Sequence, residues 1–236
     1  MTIQTRHIEY RDQDVVLEGY LAVEEGDRRP GVLVSHAWGG RSGFEESKAE
    51  MLAELGYAGF ALDLYGKGVR GSSPEENSAL MQPLLDDRTL LQRRMKLALD
   101  VLRKQKEVEP DRVAAMGYCF GGLCVLDLAR SGADVRGVAS FHGLLSPPGN
   151  TDGNSIGGKV LVMHGWDDPM APPEQVLALA TEMNAMGADW QLHAYGDTLH
   201  AFTNPAADDP DRGTVYDADA DRRSWQSLQL FLAEIF

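Results

Sequence analysis

The sequence predicts an α/β fold in which helices cover both faces of a mostly parallel central sheet. From about residue 29 onward, short apolar runs typical of buried strands alternate with segments of helical apolar spacing. This alternation is the pattern of β-α-β units, which place their strands in parallel. The 236 residues suffice for one large core and contain no internal repeat, so we expect a single domain over residues 1–236.

Three strands come first in this pattern. The first two alternate apolar and polar residues in TIQTRHIEY and VVLEGYLAV, and RDQD between them predicts a hairpin turn. The third strand is RPGVLVSH, the first helix is FEESKAEMLAELG with Gly56 as its end, and the next strand is YAGFALDLY. Gly, Ser and Pro then punctuate the chain, so we expect a short inserted segment near residues 66–83.

The alternation continues to the end of the chain. Residues 86–106 carry apolar side chains spaced by three and four positions, which predicts a long amphipathic helix. We then expect, in order, strand RVAAMG, helix FGGLCVLDLARSG, strands VRGVASFHG and GKVLVMHG, helix PEQVLALATEMNAMG, strand DWQLHAY and helix DADRRSWQSLQLFLAEIF.

The composition argues against several classes of partner. The formal net charge is −14, whereas nucleic acids and anionic membranes are bound by clustered Lys and Arg. We expect no signal peptide and no membrane span, because the required apolar runs are missing. Two cysteines favour a reducing cytoplasm over a disulfide scaffold. No metal-ligand spacing is found, so we expect no metal. The oligomeric state is not indicated.

The stretch GYCFGG places Cys119 where a predicted strand runs into a helix. A sharp turn at this position presents a nucleophile, and Gly117 and Gly121 stand where side chains would collide with its backbone. A thiol in the first turn of a helix also faces the positive end of the helix dipole, which favours the thiolate. The alternative is a small buried cysteine, and this is the interpretation that we prefer for Cys124.

An acid and a base follow in chain order. Asp168 lies in HGWDDPMAP, after a strand, and Asp167 is the neighbouring candidate. His200 lies in YGDTLHAFTNP, after the last predicted strand. Nucleophile, acid and base in this order predict a catalytic triad of Cys119, Asp168 and His200.

The remaining site residues are predicted from their places in loops. The oxyanion hole is expected to use the backbone N–H groups of Phe120 and Trp38. The substrate pocket is expected to include His36, His142 and Trp166.

These motifs make the sequence resemble the dienelactone hydrolase family, which has the α/β-hydrolase fold. The resemblance rests on GYCFGG, HGWDDPMAP and YGDTLHAFTNP, and it extends from about Val32 to the end. It implies a cofactor-free cysteine hydrolase of esters or lactones. One departure is the family's Gln-Glu pair after the third strand, where this chain has Ser35-His36-Ala37-Trp38.

We therefore predict a hydrolase that cleaves a carboxylic ester or lactone through an acyl-enzyme on Cys119. Its partner is a small-molecule substrate. The main alternative is a ligand-binding or sensory protein that keeps the fold without turnover, since fold does not guarantee function. A cysteine peptidase is a narrower alternative, for which no extended substrate groove is indicated. The natural substrate is not determined by these residues.

Overall fold

The computed structural model describes residues 2–236. Residue contacts divide the chain into two compact units, a first unit that ends at Met116 and a second that comprises Gly117–Phe236. The single domain expected over residues 1–236 stays a prediction.

The first unit is built on four strands that lie in the order β1-β2-β4-β3. Strands β1 (Ile3–Asp12) and β2 (Val15–Glu24) form the predicted antiparallel hairpin. Strand β2 pairs antiparallel with β4 (Ala58–Ala61), which pairs in parallel with β3 (Arg29–Ser35). The parallel arrangement therefore begins at β3, where the apolar runs lose their polar alternation.

Three helices complete the first unit: α1 (Gly43–Glu54), α2 (Pro74–Asp86) and α3 (Arg88–Arg103). Helix α1 packs directly on β4, because a Cβ at Gly59 would lie 2.4 Å from the Ala49 carbonyl oxygen. The segment predicted as an insert near residues 66–83 contains most of α2, a helix that the sequence analysis did not predict. Its start was recognisable, since Ser73 caps it and Pro74 is its first residue.

The second unit carries three parallel strands in the order β6-β7-β8. They are β6 (Gly137–Phe141), β7 (Lys159–Gly165) and β8 (Trp190–Tyr195), while β5 (Val108–Tyr118) runs across the boundary between the units. The helices are α4 (Phe120–Arg130), α5 (Pro173–Ala185) and α6 (Ala218–Ile235).

A small hairpin was missed by the sequence analysis. Strands β9 (Asp208–Asp209) and β10 (Thr214–Val215) pair antiparallel around a 3₁₀ turn at Pro210–Arg212. This acidic stretch has no apolar alternation, so nothing in its pattern separates it from a solvated loop.

The core of the second unit lies between its helices and its strands. Every residue of α4 is buried, and a Cβ at Gly137 would lie 2.7 Å from the Phe231 ring of α6. Helices α4 and α6 therefore pack closely against the strands of this unit. Within residues 2–236, no helix combines the length and apolar character needed to cross a membrane.

Candidate active site

Cys119 occupies a strained turn between the last residue of β5 and the first residue of α4. Its backbone has φ 56° and ψ −116°, and a positive φ is uncommon for a residue other than glycine. The Cys119 N–H donates to the Phe141 carbonyl oxygen at 3.0 Å, and its own carbonyl accepts from Gly122 N at 2.9 Å. The side chain is partly exposed. The chain thus holds this thiol at a fixed, accessible position at the end of β5.

The glycines around Cys119 are needed for close packing. A Cβ at Gly117 would lie 2.1 Å from the Gly121 carbonyl oxygen. A Cβ at Gly122 would lie 2.6 Å from Ser140 Oγ and 2.7 Å from Gly143 Cα. A side chain at either position would push α4 away from β5 or β6, so the predicted need for glycine at Gly117 has a steric cause, while the need at Gly121 stays a prediction.

Asp168 and His200 are bonded to each other. His200 Nδ1 lies 2.7 Å from Asp168 Oδ2, and both side chains are buried. The other carboxylate oxygen, Oδ1, accepts from Met170 N at 2.8 Å. Asp167 is exposed, and its backbone N–H donates to the Thr198 carbonyl oxygen at 3.0 Å. The structure therefore brings the predicted acid and base together through Asp168 rather than Asp167.

The position of His200 is fixed by its main chain. Its N–H donates to the Gly213 carbonyl oxygen at 2.9 Å, and its carbonyl accepts from Val215 N at 3.1 Å. On the other side, a Cβ at Gly165 would lie 2.5 Å from the Thr198 carbonyl oxygen. The loop that carries His200 is thus held between the end of β7 and the β9–β10 hairpin.

The charges around His200 favour its protonated form. Burial lowers the pKa of His200, but the negative charge of Cys119 and the hydrogen bond to Asp168 outweigh burial and raise the pKa to about 10. Its Nε2 makes no hydrogen bond of regular geometry with the described residues. Such bonds between a base and its nucleophile are often long without substrate and tighten when substrate binds.

Two further histidines lie beside this pair. The His142 ring centre is 5.0 Å from that of His200, and His142 Nε2 is 2.8 Å from Thr203 Oγ1. Burial and the positive charge of His200 lower the pKa of His142 well below its usual value. Burial also lowers the pKa of His164, whose two ring nitrogens have no partner among the described residues. The sequence predicts His142 in the pocket lining, and it assigns no role to Thr203 although that residue lies within YGDTLHAFTNP.

His36 and Trp38, the predicted site residues of the first unit, make hydrogen bonds to nearby residues. His36 is buried, with Nδ1 2.7 Å from the Ala37 carbonyl oxygen and Nε2 accepting from Leu64 N at 3.2 Å. The Trp38 carbonyl accepts from the Tyr65 hydroxyl at 2.9 Å. The roles of His36 in a pocket and of Trp38 in an oxyanion hole stay predictions.

A buried carboxylate that the sequence analysis missed supports the loop after β3. Glu45 accepts from the Ser42 N–H and hydroxyl, both at 2.8 Å, and from Ala37 N at 3.4 Å. The Ser-x-x-Glu spacing is a capping box, so this contact could have been predicted.

Trp166 and a cavity in the second unit lie apart from one another. The Trp166 side chain is exposed, and its ring centre is 6.5 Å from that of His164. A cavity of about 750 Å³ is bounded by the 145–154 segment and one face of α5. None of the predicted site residues lines it.

Among residues 2–236, no group of three or more His, Cys, Asp or Glu side chains is arranged to hold a metal.

The family model of the dienelactone hydrolase family matches residues 17–236. The chain belongs to this family. A solved dienelactone hydrolase-like promiscuous phosphotriesterase, P91 from metagenomic libraries, is 35% identical, covers 99% of both chains and has a TM-score of 0.94. A second solved structure, named m3DLH, is 36% identical over the same shares with a TM-score of 0.93.

Curated proteins extend the relationship. A Bradyrhizobium protein named as a probable 2-oxo-3-(5-oxofuran-2-ylidene)propanoate lactonase is 25% identical over 87% of this chain and 84% of its own. The Caenorhabditis elegans protein K02A2.1 is 38% identical over 62% of this chain and 94% of its own.

Membership of the dienelactone hydrolase family confirms two predictions. The fold has a mostly parallel central sheet with helices on both faces, as predicted. The protein is an enzyme of the ester- and lactone-hydrolase class that the family comprises. The non-catalytic alternative is not favoured. The roles of Cys119, Asp168 and His200 stay predictions.

Proposed function

We propose that the protein hydrolyses carboxylic esters or lactones through a thioester acyl-enzyme on Cys119. The observation that carries this proposal is the buried hydrogen bond between Asp168 and His200. The His200 imidazole also interacts electrostatically with Cys119, which lies at a strained turn. Acyl transfer requires a nucleophile, a base and a group that orients the base. The lactonase named among the relatives supports the substrate class.

The first half of the reaction forms the acyl-enzyme. The Cys119 sulfur, as a thiolate beside protonated His200, attacks the carbonyl carbon and forms a C–S bond while the carbonyl π electrons move to oxygen. The Phe120 N–H, in the first turn of α4, donates to that oxygen, where the helix dipole also favours negative charge. When the intermediate collapses, the C–O bond breaks and the leaving oxygen takes the proton from His200.

The second half releases the acid. Neutral His200 removes a proton from water, and the resulting hydroxide attacks the thioester carbonyl. The C–S bond then breaks and returns the electron pair to sulfur, which regenerates the thiolate beside protonated His200. Asp168 keeps the Nδ1–H of His200 directed at itself, so that Nε2 carries the transferred proton in both halves.

The partner in this proposal is a small-molecule ester or lactone. A second oxyanion donor at Trp38 and a pocket that includes His36, His142 and Trp166 stay predictions, as does a cytoplasmic location.

The proposal is tested by turnover of aryl esters, γ-lactones and thioesters with matched variants. Cys119→Ala should abolish turnover, and Asp168→Asn should lower kcat by roughly 10³- to 10⁴-fold because the base loses its correct tautomer. Asp167→Asn is the matched control and should leave kcat within about twofold, since this exposed side chain lies outside the bonded pair.

A trapped intermediate separates this mechanism from simple general-base hydrolysis. Acid quenching during turnover should yield wild-type protein whose mass is increased by one acyl group on Cys119, and Cys119→Ser should move that label to an oxygen ester. A paraoxon assay is included because one structural relative is named as a phosphotriesterase. Full ester turnover by Cys119→Ala would refute the proposal.

A further inference from the structure

His142 lies at a junction of the elements that carry the triad. It directly follows β6, with φ 37°, and its side chain is 2% exposed. The backbone N–H of His142 donates to the Met163 carbonyl oxygen of β7 at 2.8 Å. The carbonyl oxygen of the preceding residue, Phe141, accepts from the backbone N–H of Cys119 at 3.0 Å. Two consecutive residues therefore tie the Cys119 turn to the strand that leads to Asp168.

The His142 side chain reaches the loop that carries the base. Its ring centre is 5.0 Å from that of His200, at 66° between the ring planes, and 5.0 Å from that of Phe202, at 81°. Its Nε2 is 2.8 Å from Thr203 Oγ1. One imidazole thus contacts three of the four residues in 200–203, and edge-to-face packing of this kind fixes ring orientation as well as distance.

His142 is suited to this contact because it stays neutral. Burial and the positive charges of His200 and His164 all lower its pKa, and Tyr118 packs on it with ring centres 5.9 Å apart. With hydrogen on Nε2, the ring donates to Thr203 and only a lone pair on Nδ1 has no partner among the described residues. The other tautomer would bury an unpartnered N–H, which is the rarer case.

We propose that His142 is a positioning residue that, together with Thr203, holds the His200 ring in the orientation in which it serves Cys119. The proposal rests on the proposed function of the triad. This role differs from the predicted place of His142 in a substrate pocket, which stays a prediction, and it is favoured by the nearly complete burial of the side chain and by the contact of Nε2 with Thr203.

The test uses Thr203→Val, which removes only the hydroxyl, and His142→Phe, which keeps a ring but removes both nitrogens. Each should lower kcat by between about tenfold and a hundredfold, with KM within about twofold, because a displaced base affects chemistry more than binding. The double variant should be no slower than the slower single variant, since both act on one contact. His193→Phe is the control and should keep the wild-type kcat, because His193 bonds to Ser227 at 3.0 Å instead.

A measurement independent of turnover separates this proposal from that of the triad. The low-field proton resonance of the His200–Asp168 hydrogen bond should shift or broaden in both single variants and stay unchanged in His193→Phe. If the wild-type protein turns over no ester, the triad proposal fails and this resonance alone decides the positioning role. If His142→Phe does not fold, Thr203→Val decides it. An unchanged resonance with unchanged kcat, or a raised KM with unchanged kcat, overturns the proposal.

Discussion

Replacing Cys119 by alanine should lower the pKa of the His200 imidazole. The rise from the ordinary value of 6.5 to about 10 corresponds to about 5 kcal/mol in favour of the charged ring, at about 1.4 kcal/mol per tenfold change in protonation. Burial lowers the pKa of His200, so Cys119 and Asp168 together must favour the charged ring by more than the net free energy given above. A neighbouring opposite charge raises a pKa by about 1 to 3, so the alanine variant should titrate between about 7 and 9.

The assay is a titration of imidazole nitrogen shifts by NMR between pH 5 and 11. The chain has six histidines, so a His200→Gln variant assigns the resonance. Cys124→Ala is the matched control, because this cysteine is buried in α4, and its imidazole titration should match that of the wild type. A wild-type His200 that titrates near 6.5, or one whose pKa is the same with and without Cys119, would refute the reasoning.

Three further predictions concern the leaving group, the sharp turn and a buried ion pair. In the proposed mechanism, His200 carries the proton that an alkoxide leaving group needs below about pH 10, so above that pH thioester formation from an alkyl ester should fall about tenfold per pH unit. Formation from a 4-nitrophenyl ester should persist, and identical quenched-flow profiles for the two esters would contradict this role. Gly117→Ala should lower the free energy of unfolding by about 3 kcal/mol through its backbone clash, whereas Gly157→Ala, with open space around it, should change it by about 0.5 kcal/mol or less. Arg130→Met should cost about 3–5 kcal/mol, because Arg130 bonds the buried Asp127 and also Glu182. The exposed Arg222–Asp219 pair is its control, and Arg222→Met should cost at most about 1 kcal/mol in denaturant titrations.

The main elements were predictable because their apolar patterns are strong. Strand β7 reads as a continuous apolar run and α3 keeps a regular helical spacing, so the sequence predicts both. Helix α2 was not, because its buried face is reduced to Leu84 and a proline lies inside it. The capping signal at Ser73 was present but was outweighed by the surrounding Gly, Ser and Pro.

The candidate site was predictable where local motifs mark it. Cys119 stands between glycines whose need is steric, and Asp168 and His200 follow strands in a fixed order. The preference for Asp168 over Asp167 is predictable from its spacing after Gly165, and the structure bonds Asp168 to His200. The contact of His142 with Thr203 joins residues 61 positions apart. No sequence pattern encodes such a pairing, because it is set by the packing of two loops.

The β9–β10 hairpin positions His200 through its backbone, so the position of His200 does not depend on the side chains that the hairpin exposes to solvent. His200 is held there through main-chain groups of Gly213 and Val215, and Gly213 must stay glycine because its φ is 69° and a Cβ would lie 2.2 Å from Pro169 Cγ. The side chains of Asp208 and Asp211 point to solvent. Variation at these outward positions is therefore decoupled from the imidazole. Mutational libraries confined to them offer a route to new surface charge or immobilisation chemistry with the Asp168–His200 geometry left in place.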